Sequence, residues 1–415
     1  MTDRLSPAVR RLVVGVSIAA FGTGLTLPFT LILLSEVRGI PLPTVGLLLA
    51  VPGVVGLLAV PVSGALVDRL GPRVVLRAAL VLQAAANVGL ATATSPLTAL
   101  PAVALLGLGL GPSFPATSAL LSGLAPGRET AARAFGVQFT ALNASIGLGG
   151  LTAATIVDVE SPRTFVVLYL ANAVACLVYA LVLPPAAPQR VAAAHEEQPS
   201  YREVLADPVF RRVCLVSLLF ALTGYSALDG GVPAYARVVG GVSPQVVALL
   251  FAVNTAVIVG GQLAVVKLLR GRRRSSALAA AAVVWAVAWG LLLLVPLLPP
   301  AGRVLAVLAY GGVFGLGETL MAPVLGPLVN ALATDRLRGR YNATQGATFS
   351  IAFVVGPALA ALLVGTGLGV LWVSALVAGS LLSAVLALGL RGRLTPEQDG
   401  TAPLVPLDPG AALAA

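Results

Sequence analysis

The sequence predicts an all-α integral membrane protein whose twelve transmembrane helices form two pseudo-symmetric bundles of six. Of its 415 residues, 58% are hydrophobic and only 10% are charged, whereas soluble domains carry about 25% charged residues. Apolar runs alternate with short charged loops, and the runs are close to the roughly 20 residues that a helix needs to cross the hydrocarbon core. Motifs of the first half recur in the second half. These three observations exclude a soluble globular fold.

Twelve apolar spans can be placed along the chain. Their predicted limits are 12–35, 43–66, 74–94, 97–123, 134–157, 164–183, 212–236, 244–268, 275–297, 303–329, 341–365 and 368–390. Basic residues favour the cytoplasmic side of a membrane protein. With the N-terminus inside, all 26 basic residues lie on that side except Arg38, Arg163, Arg237 and Arg303. Both termini are therefore expected to be cytoplasmic, and a composition rich in Ala, Arg and Val indicates a bacterial inner membrane.

The chain divides into four predicted regions. Residues 1–183 form the N-terminal bundle, and residues 212–391 form the C-terminal bundle. Residues 184–211 are polar and rich in Pro and are expected to be a cytoplasmic linker, in which a short interfacial helix starts at Tyr201. Residues 392–415 are rich in Pro, Gly and Ala and are expected to be a disordered cytoplasmic tail.

The two halves of the sequence repeat each other. Segment 107–115 (Gly-Leu-Gly-Leu-Gly-Pro-Ser-Phe-Pro) in span 4 lines up with segment 315–323 (Gly-Leu-Gly-Glu-Thr-Leu-Met-Ala-Pro) in span 10. Gly71, after span 2, lines up with Gly271, after span 8. This parallel duplication predicts that spans 7–12 pack as spans 1–6 do.

A short charged turn separates spans 2 and 3. It reads Gly64-Ala-Leu-Val-Asp68-Arg69-Leu-Gly71-Pro72-Arg73. A Gly-bounded loop with one acid and two arginines between two spans is typical of a cytoplasmic hairpin. The pattern resembles the loop between helices 2 and 3 of the major facilitator superfamily of transporters, apart from Pro72, where a basic residue is usual. The resemblance covers residues 11–391.

This resemblance implies two bundles that rock about a central site, so that the site faces each side of the membrane in turn. It also implies a cytoplasmic gate in which the acid at position 68 holds the bundles closed. The gate residues are then Gly64, Asp68, Arg69, Gly71 and Arg73. The alternative is a solvated hairpin that only fixes the topology. The counterpart in the second half, residues 268–273, has no acid.

Two acids lie within apolar spans where the duplication breaks. Glu318 stands opposite Leu110, and Asp229 stands opposite Gly24. Glu318 is predicted near the bilayer midplane, where an ionised carboxylate is costly unless it is paired. We expect Glu318 to exchange protons as the site changes sides. The alternative is a protonated carboxyl group that bonds a neighbouring helix and fixes packing only.

Asp229 lies in the outer half of span 7, next to Gly230 and Gly231. It is a candidate for gating the outer side, binding a cationic substrate or carrying protons. A surface acid that caps a broken helix is the alternative. At the outer end of span 1, Glu36 and Arg38 are expected to form an interfacial ion pair with each other.

Side-chain amides within the spans are candidates for lining a substrate cavity. The candidates are Gln138, Asn143, Asn254, Gln262 and Gln345. Any of them can equally join two helices by a hydrogen bond.

Other function classes lack their sequence features. There is no Walker loop for direct use of ATP, and no Cys/His cluster or nucleophile–His–acid set, so no metal, cofactor or enzyme activity is expected. The basic residues lie in loops rather than on a water-soluble face, which argues against nucleic acid. The expected partners are a small-molecule substrate, protons and the lipid bilayer, and the chain is expected to be a monomer.

Within the superfamily, the chain is most similar to bacterial twelve-helix efflux carriers that exchange protons for amphiphilic drugs or metabolites. It departs from them at residues 146–150 of span 5, which lack their proline, and at Val103, where a basic residue is frequent. Spans poor in charge favour an amphiphilic or neutral substrate. The resemblance implies proton-coupled export, and the alternative is an importer or facilitator for a small neutral metabolite.

Overall fold

The structure, a computed structural model, describes residues 5–125, 128–185, 201–334 and 337–402. These residues form helices and turns without a β-strand, and twelve of the helical segments are long and apolar enough to cross a membrane. The predicted all-α fold with twelve spans is therefore confirmed. The predicted linker at 186–200 and the predicted tail at 403–415 lie outside the described residues.

The spans keep their predicted order. Spans 1 to 6 are Pro7–Val37, Leu42–Leu70, Pro72–Thr92, Pro96–Leu124, Arg128–Ile156 and Pro162–Val182. Span 7 has three pieces, Pro208–Thr223, Tyr225–Gly230 and Val232–Val238. Spans 8 to 12 are Pro244–Leu269, Arg274–Leu294, Pro300–Leu332, Arg338–Gly365 and Gly369–Leu388. The short helix expected in the linker is present as Tyr201–Ala206.

A Ser or Asp followed by Pro precedes five of the spans. The pairs are Ser6-Pro7, Ser95-Pro96, Ser161-Pro162, Asp207-Pro208 and Ser243-Pro244. Proline suits the first helical position because its φ is already helical and it has no N–H to leave unpaired. A side-chain oxygen before it can accept from the free amides of the first turn. Asp207 accepts from Val209 N and Phe210 N at 2.8 and 3.1 Å, so span 7 begins inside the predicted linker.

Helix packing repeats from one half to the other. Span 4 packs on spans 2 and 3, span 1 on spans 5 and 6, and span 3 on span 6. Span 10 packs on spans 8 and 9, span 7 on spans 11 and 12, and span 9 on span 12. Each contact of the second half thus matches one of the first, six spans earlier. Gly71 and Gly271 also share a left-handed backbone, with φ of 81° and 69°. The two pseudo-symmetric bundles are confirmed.

The two halves meet along two pairs of helices. Span 2 packs on span 11, and span 5 packs on span 8. Small residues allow the close approach, since Gly46 faces Ala361 and Gly147 faces Thr255. Any movement of one half against the other has to slide or separate these two pairs.

The segment after span 12 is folded as far as residue 402, which corrects the expected disorder of this part of the tail. The buried Asp399 carboxylate accepts from Ser275 N at 2.9 Å and from Ser275 Oγ at 3.1 Å. The Arg274 amide donates to the Asp399 carbonyl at 2.7 Å. The tail therefore satisfies amides of the first turn of span 9, which have no partner within the helix. Composition does not reveal a contact between segments so far apart in the chain.

We expect Asp399→Ala to lower the free energy of unfolding by about 1–2 kcal/mol, the usual effect of removing an acceptor from a helix N-terminus. The amide and hydroxyl of Ser275 would lose their acceptor at a buried position. Thermal unfolding of the detergent-solubilised protein measures the change. Glu397→Ala is the matched control, because the Glu397 carboxylate bonds Thr395 in its own turn. Equal effects of the two substitutions would contradict the capping role.

Candidate functional site

A cavity of about 50 Å³ lies between the two halves of the chain. Span 5 forms one side of it, and spans 7, 8 and 10 form the other. The lining residues are Phe139, Asn143, Tyr225, Ile258, Gln262, Glu318 and Ala322. Because both halves contribute, a movement of one half against the other changes access to this cavity.

Glu318 supplies the one acidic group of this lining. Its side chain, in span 10, is only 7% exposed. Asn254 of span 8 donates from Nδ2 to Glu318 Oε2 at 2.7 Å. Within the described ranges, no Lys or Arg forms an ion pair with this carboxylate. The Glu318 carboxyl group therefore has only neutral partners, at a position where its charged form would be poorly solvated.

Glycines fix the position of this carboxyl group by letting span 10 approach its neighbours. Gly315 packs on the backbone of Asn254, and Gly317 packs on the ring of Trp285. Trp285 in turn stacks on Phe314, with ring centroids 4.8 Å apart, and donates to the Phe314 carbonyl at 3.0 Å. A side chain at either glycine would displace these groups. The Gly-Leu-Gly-Glu sequence thus determines where Glu318 lies.

Tyr225 is a site residue that the sequence analysis missed. It opens the middle piece of span 7, which lies between interruptions at Gly224 and Gly231. Its side chain lines the cavity beside Glu318, and its hydroxyl group interacts with the Glu318 carboxyl group. The sequence does contain one indication of this role. Tyr225 precedes Asp229 by about one helical turn, so the two side chains share a helix face.

Asp229 lies one turn beyond Tyr225, towards the end of span 7 that the basic loops predict to face outwards, called the outer end from here on. It is half-buried and close enough to Glu318 for the two charges to interact. Among the residues that the structure describes, its carboxylate has no hydrogen-bonded or ion-paired partner. The fold therefore brings the two predicted acids near each other, although they belong to spans 7 and 10.

The predicted amides divide into two groups. Asn143 and Gln262 line the cavity, and Asn254 holds the carboxyl group of span 10. Gln262 Oε1 is buried and has no hydrogen-bond partner among the described residues, so it is able to accept a bond from a bound molecule. Gln138 and Gln345 do not line this cavity, and a role for them in binding stays a prediction.

An ion pair joins the two halves at the outer end. Arg237, in the last piece of span 7, binds both carboxylate oxygens of Glu36 in span 1, with Nε to Oε1 at 2.8 Å. Gln245 at the start of span 8 adds a second contact, donating to the Val157 carbonyl after span 5 at 3.1 Å. These contacts tie the two halves together at this end.

The predicted pairing of Glu36 with Arg38 is wrong. Arg38 donates from Nη2 to the Ala91 carbonyl at 3.0 Å and so stays within the N-terminal half. Residues two apart on a helix do not face each other, and a π turn over Leu33–Val37 changes the direction of this helix end. A contact between positions 36 and 237 leaves no local pattern in the sequence.

The hairpin between spans 2 and 3 lies at the opposite end of the bundle. The predicted gate residues there are Gly64, Asp68, Arg69, Gly71 and Arg73. Arg73 donates to the Leu183 carbonyl at 3.2 Å, which ties the hairpin to the end of span 6 in the same half. Arg69 is exposed, and the side chain of Asp68 lies outside the described residues. The gate stays a prediction.

The spans are more loosely packed towards that hairpin end. Five glycines in the corresponding parts of spans 4, 5, 8, 10 and 11 have no neighbouring atom within 4 Å of where a side chain would begin. They are Gly123, Gly136, Gly260, Gly326 and Gly346. By contrast, Gly46 and Gly147, nearer the outer end, touch the facing half. Contacts between the halves are therefore seen near the end that holds Glu36 and Arg237, and these five glycines near the hairpin end make none.

Comparison with known families gives one match that spans the chain. The family model of the Major Facilitator Superfamily matches residues 12–312 and 241–407. No curated protein sequence matches the chain.

Several solved structures share the fold. A D-xylose-proton symporter has a TM-score of 0.76 and 15% identity, covering 94% of this chain and 98% of its own. The inward-open xylose transporter XylE from E. coli has a TM-score of 0.70 and 15% identity, covering 91% and 94%. A POT family transporter in complex with a thioalcohol-conjugated peptide has a TM-score of 0.68 and 13% identity, covering 93% and 96%. Identities this low establish the fold alone.

Proposed function

The chain belongs to the major facilitator superfamily, and from that premise we propose that it exports an amphiphilic small molecule, a drug or a metabolite, in exchange for protons. Family membership makes it a multi-pass membrane transporter and not an enzyme. Substrate class, proton coupling and direction are the proposed parts, together with an inner membrane location and cytoplasmic termini.

The observation that supports proton coupling is a buried carboxyl group with neutral partners in a cavity shared by both halves. An unpaired charge in such a place is less stable than the protonated form. Glu318 therefore keeps its proton while the cavity is dry and releases it when water from one side enters. Asn254 and the hydroxyl of Tyr225 are able to hydrogen-bond either form, so the site keeps its shape through the cycle.

The proposed alternating access consists of opening one end of the molecule while the other end closes. We propose that the pair of Glu36 and Arg237 holds the outer end closed in one state of the cycle, and that Glu318 is then reached from the predicted cytoplasmic side. Opening of that pair, with closure of the hairpin end, turns the cavity outwards. Asp229 lies between Glu318 and the outer end, so it is placed to pass a proton from the opened outer end to Glu318. A proton moving inwards and a substrate moving outwards complete the exchange.

The cavity lining supports an amphiphilic substrate. Phe139, Ile258 and Ala322 are apolar, whereas Asn143 and Gln262 offer amide groups. No basic side chain is among these lining residues, so a strong anion has no counter-charge here. A molecule with an apolar body and a neutral or cationic polar group matches this surface.

The second candidate is a proton-coupled importer of a small neutral metabolite. Two observations favour it: one similar structure is a D-xylose-proton symporter, and the amides of Asn143 and Gln262 suit hydroxyl groups. The two candidates use the same residues and differ in direction and substrate.

Dye accumulation in efflux-deficient bacterial cells that express the chain separates the candidates. A panel of lipophilic cations and neutral dyes is measured with and without a protonophore. Export predicts lowered accumulation that the protonophore restores. Protonophore-sensitive uptake of labelled neutral sugars, without any effect on dyes, would support the importer instead. If no compound moves in a gradient-dependent way in cells shown to contain the protein, proton-coupled transport of these classes is contradicted.

We expect Tyr225→Phe to slow transport by roughly 10- to 100-fold, because a hydrogen bond to a charged group is worth about 1.5–3 kcal/mol. Initial rates in inverted membrane vesicles with an imposed pH gradient measure the effect. Tyr169→Phe is the matched control: it removes the hydrogen bond from a buried tyrosine to Thr30 Oγ1, at 2.8 Å, away from the cavity. Equal slowing by both substitutions would show that Tyr225 acts only through general packing.

A further inference from the structure

A second cavity lies at the predicted cytoplasmic end of the C-terminal half. It has a volume of about 230 Å³ and is bounded by the ends of spans 8, 9 and 10, the loop between spans 8 and 9, and the folded tail. All the residues that line it belong to these segments. It is therefore separate from the transport cavity and does not depend on the contact between the halves.

Three arginines form the rim of this second cavity. Arg270, Arg272 and Arg274 all line it. The side chains of Arg270 and Arg272 are exposed and have no hydrogen-bond or ion-pair partner in the described part of the chain. The nearest acid to Arg274 is Asp399, whose carboxylate is already bound by Ser275. Asp399 therefore compensates part of the charge of Arg274, whereas Arg270 and Arg272 have no ion-pair partner among the described residues.

The walls below the rim are apolar. Val266 and Leu269 come from span 8, and Val324 comes from span 10. Contact with such walls does not stabilise a hydrated inorganic anion. It does stabilise a bound lipid, because the glycerol and first acyl carbons bury apolar surface away from water. The rim also lies where span 8 ends and span 9 begins, at the expected level of the lipid phosphates. Basic pockets between membrane helices on the cytoplasmic side bind anionic headgroups in this way.

The tail completes the cavity and fixes one arginine. Gly400 lines it with a left-handed φ of 83° and packs on the side chain of Arg274. The Gln398 carbonyl accepts from Arg274 Nη1 at 2.9 Å. The guanidinium of Arg274 is therefore held at the rim, while Arg270 and Arg272 are free to close on a ligand.

We propose that this cavity binds the phosphate group of an anionic phospholipid. Arg270 and Arg272 are the phosphate-binding residues, since a guanidinium group presents paired donors that match phosphate oxygens. Arg274 is a rim residue that the tail positions, and the apolar walls receive the glycerol end of the acyl chains. The matching hairpin of the N-terminal half carries an acid in its sequence, at position 68, so the site belongs to the C-terminal half alone.

Native mass spectrometry of the full chain, released from detergent with added lipid, tests this proposal. The probes are phosphatidylglycerol and phosphatidylcholine with identical acyl chains, and inorganic phosphate is added as a competitor. The test variant is Arg270→Gln with Arg272→Gln. The matched control is Lys267→Gln with Arg273→Gln, which removes the same charge from exposed residues of the same region that do not line the cavity.

The expected result is tighter binding of phosphatidylglycerol than of phosphatidylcholine, weakened roughly 25-fold in the test variant, since each basic residue beside a lipid phosphate is worth roughly fivefold in affinity. The control variant should lose much less affinity for phosphatidylglycerol. Equal losses in both variants, or no preference between the two lipids, would overturn the site. Displacement of the lipid by millimolar inorganic phosphate would overturn the lipid assignment in favour of a soluble anion. Unchanged thermal unfolding of both variants shows that the fold is intact.

Discussion

Glu318→Gln is expected to reduce gradient-driven transport to the level of cells without the protein, while the protein stays folded. Glutamine keeps the shape and the hydrogen bond from Asn254 but cannot take up or release a proton. Exchange of labelled for unlabelled substrate across the membrane, which needs no net proton movement, should survive. Loss of the driven reaction with retention of exchange is the signature of a coupling residue rather than a packing residue.

Inverted vesicles with an imposed pH gradient measure the driven reaction, and the same vesicles at equal pH measure exchange. Glu160→Gln, an exposed acid in the loop between spans 5 and 6, is the matched control. Driven transport that survives Glu318→Gln and fails in Asp229→Asn would move proton coupling to Asp229. Loss of both driven transport and exchange in Glu318→Gln would instead indicate a role in substrate binding.

Glu36→Arg is expected to shift the conformational equilibrium towards an open outer end by up to roughly 30-fold. The substitution removes an attraction worth up to about 1 kcal/mol for a partly exposed pair, and it places a second positive charge against Arg237, which adds a repulsion of about the same size. The double variant Glu36→Arg with Arg237→Glu restores opposite charges and should return the equilibrium towards the closed outer end. Recovery in the double variant identifies the pair itself as the cause.

Distances between spin labels on the outer ends of spans 1 and 7 measure this equilibrium in the purified protein. Arg38→Glu is the matched control, because Arg38 bonds the Ala91 carbonyl within its own half. An outer end that stays closed in Glu36→Arg would show that the helix packing of spans 2, 5, 8 and 11 holds it without the ion pair.

Most of the fold could be predicted from the sequence because the bilayer imposes a simple rule on composition. Each span needs a long apolar run, and each turn between spans collects charge, Gly and Pro. The duplication then predicted that the halves pack alike, as the shared left-handed φ of Gly71 and Gly271 illustrates. Glu318 could be singled out because it interrupts both an apolar run and the repeat.

The parts that sequence analysis missed depend on contacts between distant segments. Tyr225 meets Glu318 only because span 7 breaks at Gly224 and Gly231 and lies beside span 10. The partner of Glu36 is 201 positions away. The tail folds because Asp399 meets the start of span 9, although its own composition is typical of disorder. In each case no local sequence pattern predicts the contact, because it depends on how distant helices and segments pack together.

Proton movement itself is the most direct test of the central claim that Glu318 couples transport to protons. Purified wild-type protein and the Glu318→Gln variant are reconstituted in liposomes that contain a pH-sensitive dye, and a substrate found in the dye panel is added at equal pH on both sides. The account predicts a substrate-dependent change of internal pH with wild-type protein and none with Glu318→Gln. Equal pH changes with both proteins, or substrate movement by wild-type protein without any pH change, would contradict it.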